Sequence, residues 1–285
     1  MNATLGLVTD TITFSNVDGP GNRFVVFLQG CNFDCIACHN PYTINLCNHC
    51  GDCVAACPSG ALGFSLTGSV VWDSDSCRGT DACIAACTWD ATPKALRRPV
   101  EDLLVEIRRA APFLSGITVS GGEATQQADF LRELFGAVRA DPMLAGLTCF
   151  VDSNGAVDRS TWASLLLVLD GAMIDLKCLD PDIHRSITGH PNDQVLESIR
   201  YLDAVNRLYE VRLLLLPGIN DDIVLLERTA KWLAEVNPTM RVKLIGFRKH
   251  GVRPSRRELV EPTPDRLRGY REIFTRHGRF DLCVI

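Results

Sequence analysis

Three cysteines near the start of the chain have the spacing of metal ligands. The stretch CNFDCIACHNP, residues 31–41, holds Cys31, Cys35 and Cys38, with three and then two residues between them. Three thiolates lack the fourth ligand of a structural zinc site, and His39, adjacent to Cys38, would rarely complete the tetrahedron. In a cubane 4Fe–4S cluster the same thiolates leave one iron without a protein ligand, and an open iron is available for chemistry. The loop is therefore a candidate catalytic iron–sulfur site.

A second group of cysteines reproduces the run C-x2-C-x2-C-x3-C-P of bacterial ferredoxins. This run consists of Cys47, Cys50, Cys53, Cys57 and Pro58. A related but incomplete run follows it, with Cys77, Thr80, Cys83 and Cys87. In two-cluster ferredoxins the fourth cysteine of each run binds the other cluster. The first cluster of this segment would then be held by Cys47, Cys50, Cys53 and Cys87. The second would be held by Cys57, Cys77 and Cys83, with Thr80 in the fourth place.

Thr80 stands where a cysteine is expected, which leaves three interpretations of the second set. It holds a 3Fe–4S cluster, or a 4Fe–4S cluster with a non-cysteine ligand such as Asp81, Thr80 or water, or no cluster. Three soft ligands remain at the correct spacing, which favours a bound cluster. Zinc is the alternative for the whole segment, and the doubled ferredoxin pattern argues against it.

The cysteine content and the termini indicate an intracellular protein. Thirteen cysteines is an odd number, and ten of them lie between Cys31 and Cys87, as metal ligands do in chains from reducing compartments. No basic residue precedes Arg23 and no apolar run is long enough to span a membrane, so we expect a soluble cytoplasmic protein without a secretory signal. The net charge of −5 does not suggest nucleic-acid binding.

Alternating strands and helices are expected to position the cysteine loop. Six short apolar runs are typical of buried parallel strands, and they begin at Arg23, Gly116, Leu147, Ala172, Tyr209 and Arg241. Amphipathic patterns predict helices over residues 99–114, 129–140, 159–169, 194–205, 223–236 and 264–277. This alternation predicts an α/β fold with a parallel sheet or barrel and right-handed crossovers.

Residues 46–92 interrupt the alternation and are predicted to form a small inserted domain, called the insert below. Residues 1–45 and 93–285 then form the main domain. The insert has one basic residue, Arg78, against the acidic residues Asp52, Asp73, Asp75, Asp81 and Asp90. The C-terminal part carries a basic run of Arg241, Lys243, Arg248, Lys249, Arg253, Arg256 and Arg257. Such runs are usually solvated faces, and a docking surface for a partner protein is the alternative.

The cysteine loop and its surroundings resemble a known enzyme family. C-x3-C-x2-C after FLQG is the hallmark of radical S-adenosylmethionine (radical SAM) enzymes. The longer run FSNVDGPGNRFVVFLQGCNFDCIACHNP resembles the motif of glycyl radical enzyme activating enzymes such as pyruvate formate-lyase activase, and above all the YjjW-type activases, which carry a ferredoxin-like insert after CHNP. The resemblance implies a partial (β/α)6 TIM-type barrel of the radical SAM kind with an inserted dicluster ferredoxin-like domain.

The resemblance also implies roles for motifs at the ends of predicted strands. SGGE would bind the methionine amino group of S-adenosylmethionine with Gly121, Gly122 and Glu123. DSNG, MIDLK and RLLLLPG would add the cofactor-binding residues Asp152, Ser153, Asn154, Asp175, Lys177 and Arg212. Within this group Lys177 would pair with the cofactor carboxylate, and Arg212 would lie near the cofactor or a peptide substrate. A monovalent cation would be bound by Asp152, Ser153, Asp175 and the carbonyl of Met173.

One stretch departs from the family pattern. Relatives usually end the sixth strand with an aromatic residue and a histidine near the adenosine, whereas this chain reads GFRKHG. Arg248 takes the aligned place and His250 follows two residues later. We interpret His250 as a surface histidine rather than a catalytic one.

The resemblance implies activation of a partner glycyl radical enzyme. The open-iron cluster would cleave S-adenosylmethionine reductively, and a 5′-deoxyadenosyl radical would take hydrogen from a backbone glycine of the partner, without a general acid or base. Flavodoxin or ferredoxin would supply electrons through the insert's clusters. The protein is expected to be a monomer that binds neither nucleic acid nor membrane. One alternative is a radical SAM enzyme for a small molecule, against which VDGPGNR argues. Another is an electron-transfer iron–sulfur protein, against which the intact cysteine loop and SGGE argue.

Overall fold

Eleven strands and nine α-helices form the part of the chain that the computed structural model describes, residues 4–254 and 257–285. The strands are β1 (Leu5–Ser15), β2 (Arg23–Leu28), β3 (Leu62–Phe64), β4 (Val70–Trp72), β5 (Leu96–Pro99), β6 (Gly116–Gly121), β7 (Thr148–Ser153), β8 (Gly171–Asp175), β9 (Leu208–Leu215), β10 (Arg241–Gly246) and β11 (Asp281–Val284). The helices are α1 (Asp52–Ala56), α2 (Ala82–Ala85), α3 (Val100–Ala110), α4 (Ala128–Ala140), α5 (Arg159–Leu165), α6 (Pro181–Thr188), α7 (Asp193–Ala204), α8 (Ile223–Val236) and α9 (Pro264–His277). Arg256 of the basic run lies outside the described residues.

Nine strands form one open sheet in the order β11-β10-β9-β8-β7-β6-β2-β1-β5. Neighbours from β2 to β11 are parallel, whereas β1 pairs antiparallel with β2 and β5. The six predicted strands are confirmed as the six consecutive parallel strands β2 and β6 to β10. The prediction missed β1, β5 and β11, because these strands are only partly buried and lack the continuous apolar run of a strand buried on both faces.

The six predicted helices are present, and their ends follow local chemistry. Asp222 caps α8, since its side chain accepts hydrogen bonds from the backbone N–H groups of Val224 (3.0 Å) and Leu225 (3.1 Å). Predicted to run to residue 114, α3 instead ends at Ala110. Pro112 follows, and proline cannot donate the next helical hydrogen bond. The prediction missed α6, although Asp180 and Pro181 at its start and Gly189 at its end are helix boundary signals.

Buried side chains between the sheet and its helices form the main core. The central strands are buried on both faces, as Val25, Val26, Ile117 and Val151 show with no measurable exposure. Such side chains each stabilise the fold by about 1.5–3 kcal/mol. The crossover helices on the parallel sheet bury most residues of its central strands. Polar side chains that are buried with them need hydrogen-bond partners.

Arg23 is one such buried polar residue, at the start of β2. Its guanidinium donates to Thr118 Oγ1 (2.7 Å), to Thr148 Oγ1 (2.9 Å) and to the Ile117 carbonyl, and it lies over the Phe150 ring at 4.5 Å from the centroid. Burial lowers the pKa of Arg23 to about 10. The arginine that ends the VDGPGNR run thus ties together the starts of β2, β6 and β7.

The insert folds around a small hydrophobic cluster of its own. Short strands β3 and β4 pair antiparallel, with Leu62 opposite Trp72, and α1 contacts α2. The buried side chains between these elements are Cys53, Leu62, Val70 and Cys83. Elements of three to five residues explain why the sequence of the insert has no clear periodicity.

Both ends of the insert are attached to the main domain at one place. The Asn45 backbone N–H donates to the Asp90 carbonyl (3.0 Å). Arg253, from the segment after β10, donates to the carboxylates of Asp34 and Asp90 and to the Cys35 carbonyl (3.4 Å). The insert is thereby held against the cysteine loop.

The described helices include none that could span a membrane. No helix in residues 4–254 or 257–285 combines the length and the apolar character that crossing a bilayer requires.

Candidate active site

A cavity of about 290 Å³ opens at the carboxyl ends of the parallel strands. Loops meet at this edge in parallel α/β folds, and it is where their sites usually lie. Its lining includes eleven of the residues that the sequence singled out. They are Cys31, Cys35, Cys38, Gly121, Gly122, Asp152, Ser153, Asn154, Asp175, Lys177 and Arg212. The structure therefore brings four sequence motifs and the cysteine loop into one site, while their individual roles stay predictions.

The cysteine loop follows β2 directly and is held on both sides by backbone hydrogen bonds. The Cys31 N–H donates to the Ile44 carbonyl (2.9 Å). Further along, the Asp34 and Ile36 N–H groups donate to the carbonyls of Thr188 and Ile187 (both 2.9 Å), at the end of α6. A helix absent from the sequence prediction thus fixes the loop.

The three thiols of this loop suit a bound cluster better than free thiolates. Burial raises the pKa of Cys31 to about 12 and that of Cys35 to about 11, and it also raises the pKa of Cys38. A metal centre stabilises buried thiolates that would otherwise be protonated. In the described residues no three His, Cys, Asp or Glu side chains lie close enough together to bind a single metal ion. This does not argue against a cubane cluster, because its ligand sulfurs are farther apart than those around one ion.

The two glycines after β6 allow close contact between backbone segments. Gly121 has φ +119°, and a Cβ there would lie 2.2 Å from the Leu28 nitrogen. At Gly122 a Cβ would lie 2.2 Å from the Gly30 carbonyl oxygen. Any larger residue would push the end of β6 away from the cysteine loop. The resemblance placed these two glycines in the site. The lack of room for a Cβ at either position is the physical reason that glycine occurs there.

Glu123 does not line the cavity, although the sequence grouped it with the two glycines. Its carboxylate is 1% exposed and accepts hydrogen bonds from Thr125 Oγ1 (2.6 Å), Ser153 Oγ (2.7 Å) and the Asn154 N–H (2.7 Å). Burial raises the pKa of Glu123, and these donors act against the rise. The side chain therefore braces the DSNG segment.

Arg212 lines the cavity, and its side chain lies between the carboxylates of Glu210 and Asp152. Its guanidinium donates to Glu210 (2.7 Å) and Asp152 (3.0 Å) and lies 2.8 Å from the Met173 sulfur. Burial acts to lower the pKa of Arg212, but Asp152 and Asp175 raise it above its ordinary value. Burial raises the pKa of Asp152 against the pull of Arg212. The side chain of Met173 thus packs on Arg212 and does not line the cavity.

Lys177 and Asp175 form an ion pair at the end of β8. Lys177 Nζ lies 2.6 Å from Asp175 Oδ2. Burial opposes the charged lysine, yet Asp175 raises its pKa above the ordinary value. The site therefore holds a fixed cation and a fixed carboxylate side by side, which suits a zwitterionic ligand.

The sixth strand contributes differently from the family pattern. Arg248 pairs with Glu261 (3.3 Å), His250 is exposed, and neither lines the cavity. Instead His39 lines it, stacked on Phe247 at 6.1 Å between centroids, with Nε2 2.8 Å from the Arg248 carbonyl oxygen. From the sequence, His39 was considered only as a zinc ligand. Its position directly after Cys38 is the feature that could have placed it in the site.

In the insert, the three cysteines of the incomplete set line the same cavity. Cys57, Cys77 and Cys83 line one small cavity together with Thr80 and Asp81. A hydrogen bond from the Ser59 hydroxyl lowers the pKa of Cys57, and one from the Gly79 N–H lowers that of Cys77. For the other set, burial and the neighbouring thiol of Cys47 raise the pKa of Cys53 to about 11.

Comparison with known proteins identifies the family of this chain. The radical SAM superfamily matches residues 25–228. The pyruvate formate-lyase-activating enzyme of Streptococcus mutans is 30% identical, covering 94% of this chain and 90% of its own. The (2S)-3-sulfopropanediol dehydratase activating enzyme of Klebsiella oxytoca is also 30% identical, covering 86% of this chain and 83% of its own.

A solved structure supports the fold alone. The crystal structure of QueE from Escherichia coli aligns with a TM-score of 0.54 at 14% identity, covering 98% of this chain and 93% of that one. The superfamily match spans most of the chain, and the named relatives match nearly all of it. The chain therefore belongs to the radical SAM superfamily and, within it, to the glycyl radical enzyme activases.

Proposed function

We propose that this protein installs a radical on a backbone glycine of a partner glycyl radical enzyme. One observation carries the proposal. Three cysteines, a glycine pair, an acid–lysine pair and a buried arginine, contributed by separate strands, line a single cavity. Its chemistry matches the needs of S-adenosylmethionine, which has a positive amine and a negative carboxylate to bind.

Within the cavity the cysteine loop would hold the 4Fe–4S cluster that the superfamily implies. When bound, the cluster and S-adenosylmethionine supply reductive cleavage to methionine and a 5′-deoxyadenosyl radical, which takes hydrogen from glycine. Cys31, Cys35 and Cys38 would be the protein ligands of this cluster, and three cysteines would leave one of its irons without a protein ligand. All other contributions of the chain are binding, orientation and exclusion of water.

The carboxyl ends of the strands would orient the cofactor. Backbone carbonyls at Gly121 and Gly122 can approach an ammonium group because no Cβ intervenes. Lys177 would pair with the carboxylate, and Arg212 would lie near the cofactor or the peptide. The proposed ligands of a monovalent cation are Asp152, Ser153, Asp175 and the carbonyl of Met173. A cation on Asp175 would release Lys177 Nζ from that carboxylate.

Apolar side chains in the same cavity would keep the radical from water. Phe33, Ile187, Leu214 and Ile245 line it among the charged groups. Hydrogen-atom abstraction needs no general base, and it needs a cavity that a peptide loop can enter and seal. We expect the loop to enter at the carboxyl ends of the parallel strands, where the cavity opens.

The insert would act as an electron relay. We assign one 4Fe–4S cluster to Cys47, Cys50, Cys53 and Cys87, and a second cluster to Cys57, Cys77 and Cys83. The convergence of the second set on one small cavity with Thr80 and Asp81 supports this assignment. That cluster is either 3Fe–4S or 4Fe–4S with a non-cysteine ligand. Flavodoxin or ferredoxin would supply the electrons, and the protein would work as a cytoplasmic monomer.

The partner is assigned only as a glycyl radical enzyme. Activating enzymes named for a formate-lyase and for a sulfopropanediol dehydratase are equally similar to this chain at 30% identity. Sequence similarity at this level therefore does not select one substrate for the partner.

The test begins with anaerobic protein, dithionite and S-adenosylmethionine, without a partner. We expect 5′-deoxyadenosine by chromatography, and the Cys35→Ala variant serves as the matched control without it. A candidate glycyl radical enzyme is then added, and its radical is followed by EPR. Failure to form 5′-deoxyadenosine would indicate an electron carrier. Consumption of a small molecule with no radical on any partner would indicate the other enzyme class.

A further inference from the structure

A buried carboxylate joins the ends of β6 and β7. Glu123 Oε2 accepts from the backbone N–H of Asn154 (2.7 Å), and Oε1 accepts from the Ser153 hydroxyl (2.7 Å). Breaking such a bond would leave a buried charged group without a partner, which is costly. Glu123 therefore fixes the backbone at residues 153–154.

The Asn154 side chain is fixed in one orientation. Its Oδ1 accepts from the Ala156 N–H (2.8 Å), so Nδ2 points the other way. There Nδ2 donates to Asn32 Oδ1 (2.8 Å) and lies 3.8 Å from the Cys31 sulfur. Asn32 donates in return to the Ala156 carbonyl (2.9 Å). This cross-link holds an N–H dipole next to Cys31 at a position where Asn154 is only 8% exposed.

Cys31 consequently has two N–H groups near its sulfur, since the Phe33 backbone N–H lies at 3.4 Å. Reduction of an iron–sulfur cluster adds negative charge that is shared with the sulfur ligands. Hydrogen bonds to these sulfurs are among the factors that set the reduction potential, and their effect is stronger where water is excluded. Partners beyond the ligands often tune a metal site in this way.

We propose that Asn154 is a positioning residue that raises the reduction potential of the cluster at Cys31, Cys35 and Cys38, and that Glu123 holds Asn154 in place. The proposal rests on the cluster assigned under the proposed function and deepens it. The resemblance implied that both residues bind S-adenosylmethionine, and Asn154 also lines the cavity. Their hydrogen bonds in addition connect Glu123 to Asn154 and Asn154 to the cysteine loop, where the pair would determine how easily the cluster accepts an electron.

The test measures the midpoint potential of the cluster in reconstituted full-length protein, without S-adenosylmethionine or partner, by an EPR-monitored redox titration. The Cys35→Ala protein gives the signals of the insert for subtraction. Asn154→Leu keeps the number and branching of the side-chain heavy atoms and removes the donor together with the acceptor, so we expect a more negative potential. The matched control is Asn192→Leu, because Asn192 is also buried and donates to the carbonyls of Cys178 (3.1 Å) and Leu179 (2.8 Å). We expect the control to keep the wild-type potential.

Two outcomes would overturn the proposal. One is a wild-type potential in Asn154→Leu at full iron content, and the other is an equal shift in the Asn192→Leu control. If Asn154→Leu does not retain iron, Asn154→Asp takes its place, since it keeps the acceptor for Ala156 and replaces the N–H group with oxygen. A wild-type potential there would overturn the proposal as well. Absence of any cluster in the wild-type protein would instead defeat the proposed function.

Discussion

The cysteine loop of the main domain and the insert carry thiols at similar spacings in unlike surroundings. In the loop, burial raises the pKa of Cys31 to about 12. In the insert the thiols differ among themselves, because hydrogen bonds lower the pKa of Cys57 and Cys77, whereas burial raises the pKa of Cys53 to about 11 and also raises that of Cys83. A buried site can exclude water from a radical, whereas a site near the surface can exchange electrons with another protein. We therefore propose that similar spacing in sequence serves two tasks, which the surrounding fold separates.

The same contrast holds for charged groups. Arg212 is buried between Glu210 and Asp152 in the main domain. At the edge of the insert, Lys94 pairs at 2.7 Å with Asp81 of the insert, whose side chain is 62% exposed. Arg212 is held in place by burial and cannot be removed without leaving a buried carboxylate unpaired.

Removal of a cysteine should separate the two regions most clearly. Cys35→Ala deletes a ligand of the catalytic cluster, so 5′-deoxyadenosine formation with dithionite should fall by more than the roughly 100-fold that outer-shell partners can cost. Cys77→Ala deletes a ligand of the insert, which dithionite can bypass, and it should keep most of the activity. Chromatography of the product checks both. Equal losses would mean that every electron must pass through the insert.

Removal of a buried charge should be the next largest effect. Arg212→Ala leaves Asp152 without its cation and leaves Glu210 with Arg241 alone, so we expect a loss of about 3–5 kcal/mol in the free energy of unfolding. Lys94→Ala at the edge of the insert should cost at most about 1 kcal/mol. Urea unfolding of the metal-free proteins measures both values. Similar values for the two variants would contradict the contrast in burial.

Completion of the second cysteine set should make the two regions less alike, because the cysteine loop has three cysteines. Thr80→Cys supplies the missing ligand beside Cys57, Cys77 and Cys83, so the bound iron should rise by about one atom per chain. Iron analysis and EPR of the oxidised protein follow the change. The control is Thr67→Cys, the same substitution in the turn between β3 and β4. Unchanged iron in Thr80→Cys would show that the set does not hold a three-iron cluster.

A pH dependence of stability should come from the main domain and be the smallest effect. His184 in α6 is fully buried against Phe33, and its Nε2 has no hydrogen-bond partner among the described residues. Burial lowers its pKa below 6.5, with Lys177 and His190 acting in the same direction. Below pH 6.5 the unfolded chain therefore binds more protons, and stability falls as the pH decreases toward the folded-state pKa.

The measurement compares unfolding free energies at pH 7 and at pH 5.5. We expect a loss of about 1 kcal/mol in the wild-type protein, since one pKa unit corresponds to about 1.4 kcal/mol. His184→Leu should reduce this loss. A loss of the same size in the variant would assign the pH dependence to other groups.

Much of the main domain could be read from the sequence. The six parallel strands follow from apolar runs buried on both faces, and the six helices follow from amphipathic periods. The partly exposed strands β1, β5 and β11 could not be found this way, because their side chains face both solvent and core without a strict alternation. The short helix α6 was missed, although Pro181 and Gly189 mark its two ends.

The site was predicted as a set of motifs, and the fold decided how its members divide. Most predicted residues line one cavity, because parallel strands end at one edge of the sheet. Glu123 belongs to SGGE in sequence but turns toward Ser153 and Asn154, and Met173 packs on Arg212. Neighbours in sequence can point to opposite sides of a strand end, so a motif alone does not say which side chains face a ligand.

The sequence by itself determined the cysteine spacings, the alternation of strands and helices, and the glycines at the end of β6. These features depend on local chain geometry and on residue type. Only the tertiary structure decided that α6 fixes the cysteine loop, that Arg253 joins this loop to the insert, and that Asn154 directs an N–H toward Cys31. Such contacts join residues far apart in the chain, and their geometry exists only once the sheet has brought its strand ends together.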